Sequence, residues 1–113
     1  MAPRLSASVE AASLCRRIES EGGFAAVLHK GDPERGSLIL VIRERGQYVT
    51  CLERMLALDG SYAWTKGGPT SSAGEAGLTE FIKRRTHFDE DSWLIELDIA
   101  QPERFIAETT AAG

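Results

Sequence analysis

The first apolar pattern along the chain has helical spacing. Ala7, Ala11, Leu14, Cys15 and Ile18 recur on one face, with Glu10, Ser13, Arg17 and Glu21 on the other. This predicts a helix over 6–21. Ser6 suits its N-cap, because a hydroxyl there can accept from a free backbone N–H. Gly22-Gly23 suits its end, since glycine takes the left-handed C-terminal conformation at little cost.

The pattern then turns to strands. One is expected at about 24–30, followed by the turn chemistry of Gly31-Asp32-Pro33-Glu34-Arg35-Gly36. The next, 37–44, carries Leu38-Ile39-Leu40-Val41-Ile42 and is apolar on both faces, which predicts a central strand covered above and below. Arg45-Gly46 reverses the chain into a strand at 47–55, and Asp59-Gly60 into a short one at 61–65. A polar loop spans 66–74. Within it, Ser72-Ala73-Gly74-Glu75 matches a capping box for a second helix that runs to about 85. Leu78, Phe81 and Ile82 form the buried stripe of this helix. A last strand, 92–99, alternates Trp93, Ile95, Leu97 and Ile99 with Glu96 and Asp98, as a half-exposed strand does. Pro102 breaks the pattern, and Phe105 and Ile106 are expected to anchor the tail before a frayed, Ala/Thr-rich end. The expected fold is α+β, in the order α-β-β-β-β-α-β: an antiparallel sheet of about five strands with two helices packed on it.

The length of 113 residues fits one domain, with an ordered core at about 6–108. A net charge of −4 repels phosphate backbones at long range and argues against nucleic acid unless basic residues are segregated. Cys15 and Cys51 form no CxxC pair, so buried, reduced thiols are expected. The longest aliphatic run, Leu38-Ile39-Leu40-Val41-Ile42, is far short of the ~20 residues of a membrane span. Met1-Ala2-Pro3-Arg4-Leu5-Ser6 lacks the apolar core of a signal peptide. A cytoplasmic location follows as the expectation.

Several stretches together resemble a known family: Gly22-Gly23-Phe24-Ala25-Ala26-Val27, Lys30-Gly31-Asp32 with Gly36, Glu53-Arg54-Met55-Leu56, Asp59-Gly60-Ser61-Tyr62-Ala63-Trp64, Arg84-Arg85, and Phe88-Asp89-Glu90-Asp91-Ser92-Trp93-Leu94-Ile95-Glu96. They look like domain of unknown function 1491, a small family associated with alphaproteobacteria. The resemblance covers about 9–98. Its most distinctive part is Phe-Asp-x-Asp-x-Trp-x-x-Glu, usually written with Asp-Pro-Asp, where this chain has Glu90 in the middle. It implies a cytoplasmic bacterial protein and brings no activity, cofactor or site residues.

Three groups of residues have chemistry to weigh. Asp89 and Asp91, with His87 and Glu90 nearby, offer oxygen and imidazole ligands to a divalent metal. Acidic residues between a helix and a strand also satisfy backbone N–H groups in turns, and a real metal site needs more ligands than this stretch supplies, so no metal site is assigned. Lys30 and Asp32, beside His29, read as a ligand loop or as an ordinary hairpin connection. Arg16 and Arg17, with Arg84 and Arg85, make one basic patch for phosphate or an acidic partner if the two helices pack side by side. Otherwise they complement helix ends. Gly67-Gly68-Pro69-Thr70-Ser71-Ser72 lacks the Gly-Lys-Ser/Thr of a P-loop. No nucleophile motif is present, and no cofactor is implied.

The first functional expectation is therefore a non-enzymatic binding or protein-interaction module that forms a homodimer, because an apolar sheet face or an open sheet edge needs a cover. The alternatives are a small metal-dependent or ligand-binding enzyme using the Asp32 loop and the Asp89–Asp91 turn, and a binder of nucleic acid or an acidic partner through the four arginines.

Overall fold

The computed structural model describes residues 6–56 and 58–111. Residues 1–5, read above against a signal peptide, and the last two residues of the tail lie outside them. The elements in chain order are α1 (Ala7–Ser20), β1 (Phe24–His29), β2 (Leu38–Glu44), β3 (Gln47–Leu56), β4 (Tyr62–Gly67), a short 3-10 turn (Ser71–Ala73), α2 (Gly74–Phe88), β5 (Trp93–Asp98) and α3 (Pro102–Ala111).

The five strands form one sheet in the order β1-β5-β2-β3-β4. The order corrects the expected all-antiparallel sheet. β5 runs parallel to β2, with Leu38 beside Trp93, Leu40 beside Ile95 and Ile42 beside Leu97, while the other three pairings are antiparallel. The physical reason is the long return through β3, β4 and α2, which brings the chain back to the far side of β2 in the same direction. β2 is central, as its two apolar faces require, and Leu38 to Ile42 are all at most 2% exposed. β5 also lies inside the sheet and not at a half-exposed position. Its polar residues Glu96 and Asp98 are held by Arg43 and by the backbone amides of Arg45 and Gly46.

Sheet register sorts the core into two layers. Leu38, Leu40, Ile42, Leu52, Trp93, Ile95 and Leu97 face one side and pack with Ala7, Ala11 and Ile18 of α1 and Ile106 of α3. Ile39, Val41, Tyr48, Cys51 and Leu94 face the other and pack under Leu78, Phe81 and Ile82 of α2. There are three helices, not two. The tail is helical, α3, with Pro102 at its start and Ile106 turned into the core as an anchor, and the helix continues through the Ala/Thr-rich stretch expected to fray, as far as Ala111. It completes the cover that α1 alone cannot give to one face.

The caps differ in detail from the sequence reading. Gly22, at φ +89°, ends α1, with Gly22 N–H donating to Glu19 O and Gly23 N–H to Ile18 O, a Schellman arrangement. At the other end, the Ser6 hydroxyl lies against Ser8 Oγ at 3.4 Å. The free amides of Ala7 and Ser8 donate instead to Glu34 O and Pro33 O. The expected capping box also does not form. Ser72 Oγ meets Thr70 Oγ1 at 2.9 Å, and Glu75 reaches Arg43 at 2.8 Å. An arginine in range is a stronger partner for a carboxylate than a backbone amide.

Ion pairs tie the layers together. Arg54 on β3 pairs with Glu10 on α1 and stacks over Tyr62 and Trp64, 5.3 and 5.6 Å from the ring centroids. Arg43 on β2 joins Glu96 of β5 to Glu75 of α2. Arg85 Nη1 lies 2.8 Å from Glu53 Oε1, an oxygen shut off from water that makes no aligned hydrogen bond. Their attraction is charge on charge at a poor angle.

Candidate functional site

The structure brings together the two acidic segments singled out by the sequence. The loop at 30–36 packs against the turn at 89–92. Asp32 N–H donates to Asp91 O at 3.0 Å, Trp93 N–H to Ser37 O at 2.7 Å, and the Trp93 indole Nε1–H to Asp32 O at 2.7 Å. His29 Nδ1 lies 2.9 Å from Ser92 O. The same loop closes the start of α1 through Pro33 O and Glu34 O. It is thus a three-way junction between α1, β1 and β5.

This junction engages carboxylates of two of the four candidates, Asp32 and Asp89. Asp32 Oδ1 accepts from the N–H groups of Glu34 and Arg35, both at 2.8 Å, and these bonds hold its carboxyl below the usual carboxylate range. Asp89 Oδ1 accepts from Asp91 N–H at 3.1 Å, and its Oδ2 accepts from the Ser92 hydroxyl at 2.8 Å. Lys30 and Asp91 have exposed side chains. Among the described residues, no three His, Cys, Asp or Glu side chains gather closely enough to hold a metal ion. The four candidates Lys30, Asp32, Asp89 and Asp91 therefore share a neighbourhood, and its visible task is to fasten the fold.

The basic residues do not form one patch. Arg16 and Arg17 sit on α1 and Arg84 and Arg85 on α2, and these helices lie on opposite faces of the sheet. The side-by-side packing that a single patch required is absent, because each apolar face of β2 takes a helix. Arg17 is 3.6 Å from Glu21 and lies over the Phe105 ring, while Arg85 is drawn to Glu53.

The thiols are equally separated. Cys15 packs on the α1 side and Cys51 in the α2 layer, and both are free. Burial pushes both up from the ordinary thiol value, so neither is poised as a nucleophile. Tyr48 Oη donates to Pro69 O at 2.6 Å and lies 3.4 Å from Cys51 Sγ.

A groove of about 680 Å³ runs between the end of α1, α3 and the β2–β3 turn. Its rim arginines Arg17 and Arg104 face Glu21 and Glu108 of their own helices at 3.6 and 2.9 Å, which leaves little net field for a charged ligand.

The remaining candidate is an open sheet edge, which the sequence predicts without saying which strand forms it. β1 is an edge strand with a single neighbour, β5, among the described residues. Phe24, Val27 and Leu28 on it are 57%, 39% and 44% exposed. They are three of the seven large apolar side chains exposed among the described residues, and they fall within five consecutive positions. By register, Phe24 and Ala26 lie beside Asp98 and Glu96, and Ala25 and Val27 lie beside Leu97 and Ile95, so both faces are apolar. That is the composition of a covered strand, found here at an edge. The signal was legible: Phe24-Ala25-Ala26-Val27-Leu28 lacks alternation just as the β2 run does, but only the strand order says which of the two is central.

The family model for a protein of unknown function, DUF1491, matches residues 5–107. The chain belongs to the DUF1491 family. A crystal structure of a DUF1491 family protein from Caulobacter crescentus is 27% identical, with a TM-score of 0.76, covering 85% of this chain and 89% of that one. An NMR structure of a DUF1491 family protein from the same organism is 25% identical, with a TM-score of 0.78 and coverage of 89% and 91%. A protein from A. tumefaciens, 22% identical with a TM-score of 0.66 over 86% and 87% of the two chains, shares the fold. No curated protein matches the chain. In this DUF1491 chain the distinctive Phe88 to Glu96 stretch supplies the junction turn and the start of β5, with Glu90 exposed.

The carboxylates give a testable pH dependence. Asp32 and Asp59 are held below their usual values by hydrogen bonds from backbone and Ser61, and Glu75 by Arg43. A depressed folded-state value stabilises the fold above the unfolded-state value, near pH 4, and that contribution is lost as pH falls through the folded value. The urea midpoint is expected to hold from neutrality down to about pH 4 and to drop below it. Glu75→Gln should lower the midpoint at neutral pH slightly and flatten part of the acid decline. Curves for the two proteins that stay parallel down to acid pH would contradict the Glu75 assignment.

Proposed function

We propose that this DUF1491 chain is a non-enzymatic, cytoplasmic protein-interaction module whose working surface is the outer edge of β1. The observation that carries this reading is the exposure of Phe24, Val27 and Leu28 on a strand that has a sheet neighbour on one side only among the described residues. Such an edge takes up an extended segment of a partner, with main-chain hydrogen bonds giving affinity and the flanking side chains giving specificity. The other edge is poorly suited to this role. β4 carries an exposed Lys66, runs into Gly67-Gly68-Pro69, and has α3 packed on it. Lysine and nearby proline are the ordinary guards of an edge, and β1 has no charge from Phe24 to His29.

The enzyme reading is less well supported because Asp32 and Asp89 are engaged with their own backbone. The nucleic-acid reading is less well supported because the arginines are split between two faces. The test is native mass spectrometry of the protein purified gently from its own cells. The expected result is an additional mass of protein size that disappears in a Val27→Lys variant. A retained metal or metabolite on an otherwise bare chain would contradict the reading.

A further inference from the structure

We propose that the segment paired to β1 is β1 of a second copy of this chain, in antiparallel register about a two-fold axis at Ala26. This rests on the reading of the β1 edge as the working surface, and it names the partner. A strand related to itself by a two-fold axis pairs antiparallel, so one surface patch serves both copies. With the axis at Ala26, Phe24 of one copy stands opposite Leu28 of the other, Ala25 opposite Val27, and Ala26 opposite itself.

Every pair in that register is apolar, and Phe24 with Leu28 and Val27 with Ala25 set a large side chain against an apolar group across the strands, the contact that stabilises sheets. An alanine, Ala26, sits at the axis, where the two copies present the same side chain to each other. No charge falls between Phe24 and Leu28, so none meets its own copy across the axis, where like charges would repel. The bulge between Val27 and His29 falls on Leu28, so the regular stretch is 24–27 and the Phe24–Leu28 pairs lie at the two ends of the seam. A foreign partner would need no such symmetry in β1. The result is a ten-stranded sheet, five strands from each copy, with both inner edges removed.

Cysteine cross-linking tests the register. Residues directly opposite in an antiparallel pair have Cα atoms about 4.5–5.5 Å apart, within reach of a disulfide. In a Cys15→Ser background, Ala26→Cys is expected to oxidise to a covalent dimer under mild conditions. Ala25→Cys mixed with Val27→Cys should give the mixed dimer in preference to either self-dimer. Ala12→Cys on the exposed side of α1 is the collision control and should stay largely monomeric. If Cys15→Ser impairs folding, the same set is made with Cys15 retained and read by peptide mapping of the disulfide. Equal cross-linking at all positions, or none at position 26, would overturn the self-pairing. In the latter case native mass spectrometry separates two outcomes. A complex with a different protein that Val27→Lys abolishes leaves the edge as the working surface and removes only the second copy. Absence of any such complex removes both.

Discussion

Gly31→Ala should destabilise the protein by about 3 kcal/mol, at the upper end of overpacking costs. A Cβ built on Gly31 lands on the carbonyl of Asp91, with the Ser92 carbonyl carbon at 2.7 Å. Both are backbone atoms, so no flexible side chain can swing aside. The same carbonyl accepts the Asp32 N–H, so moving it also breaks the bond that fastens the 30–36 loop to β5. Gly31 does not lie in the left-handed region, so the cost is one of space and not of conformation. Gly60→Ala is the matched contrast. Its φ is +88°, and nothing lies within 4 Å of the added carbon, so it should cost only about 1 kcal/mol through backbone strain. Equilibrium urea unfolding of the two variants checks the ranking, and equal midpoints would contradict the junction.

Leu40→Ala should cost about 3–4 kcal/mol and lower the melting temperature by roughly 10–15 °C. Leu40 is 1% exposed in the middle of the central strand, with Ile95 and Leu52 as its sheet neighbours and the α1–α3 layer above. Neither flanking strand can close a cavity there without breaking its ladder to β2, so relaxation is small and the cavity cost large. A domain of this size is held by only about 5–15 kcal/mol in total, so a loss of this order should be plain in calorimetry. A drop of only a few degrees would mean that the helix layer can settle onto the gap.

These two sites also mark what could be read from the sequence. The burial of Leu40 was legible, because Leu38 to Ile42 is apolar on both faces and only a central strand buries both. The importance of Gly31 was not. Its neighbour Asp91 lies 60 residues away, and local turn chemistry accounts for a Gly-Asp-Pro run without it. The parallel β2–β5 pairing was hidden for the same reason, since register between distant strands leaves no mark in local periodicity. α3 was missed because Pro102 reads as a breaker, although proline is well suited to a helix's first turn, and Phe105 and Ile106 alone make a short apolar stripe. At the candidate site, the segments around Asp32 and Asp89 were picked out and do meet. That their oxygens would be engaged by backbone N–H groups follows from the turn geometry, which the residue types allow but do not dictate.

The β1 edge brings the functional argument to one property, the mass of the protein in solution. Light scattering on the unmodified chain and on Val27→Lys, each from dilute to concentrated solution, measures it most directly. Lysine at position 27 places a positive charge beside the axis in both copies, where the proposed pairing would have to bury it. The account predicts twice 12.3 kDa for the unmodified chain and 12.3 kDa for Val27→Lys, with the variant still folded by circular dichroism. A mass of 12.3 kDa for the unmodified chain throughout, or a dimer that Val27→Lys leaves intact, would contradict it.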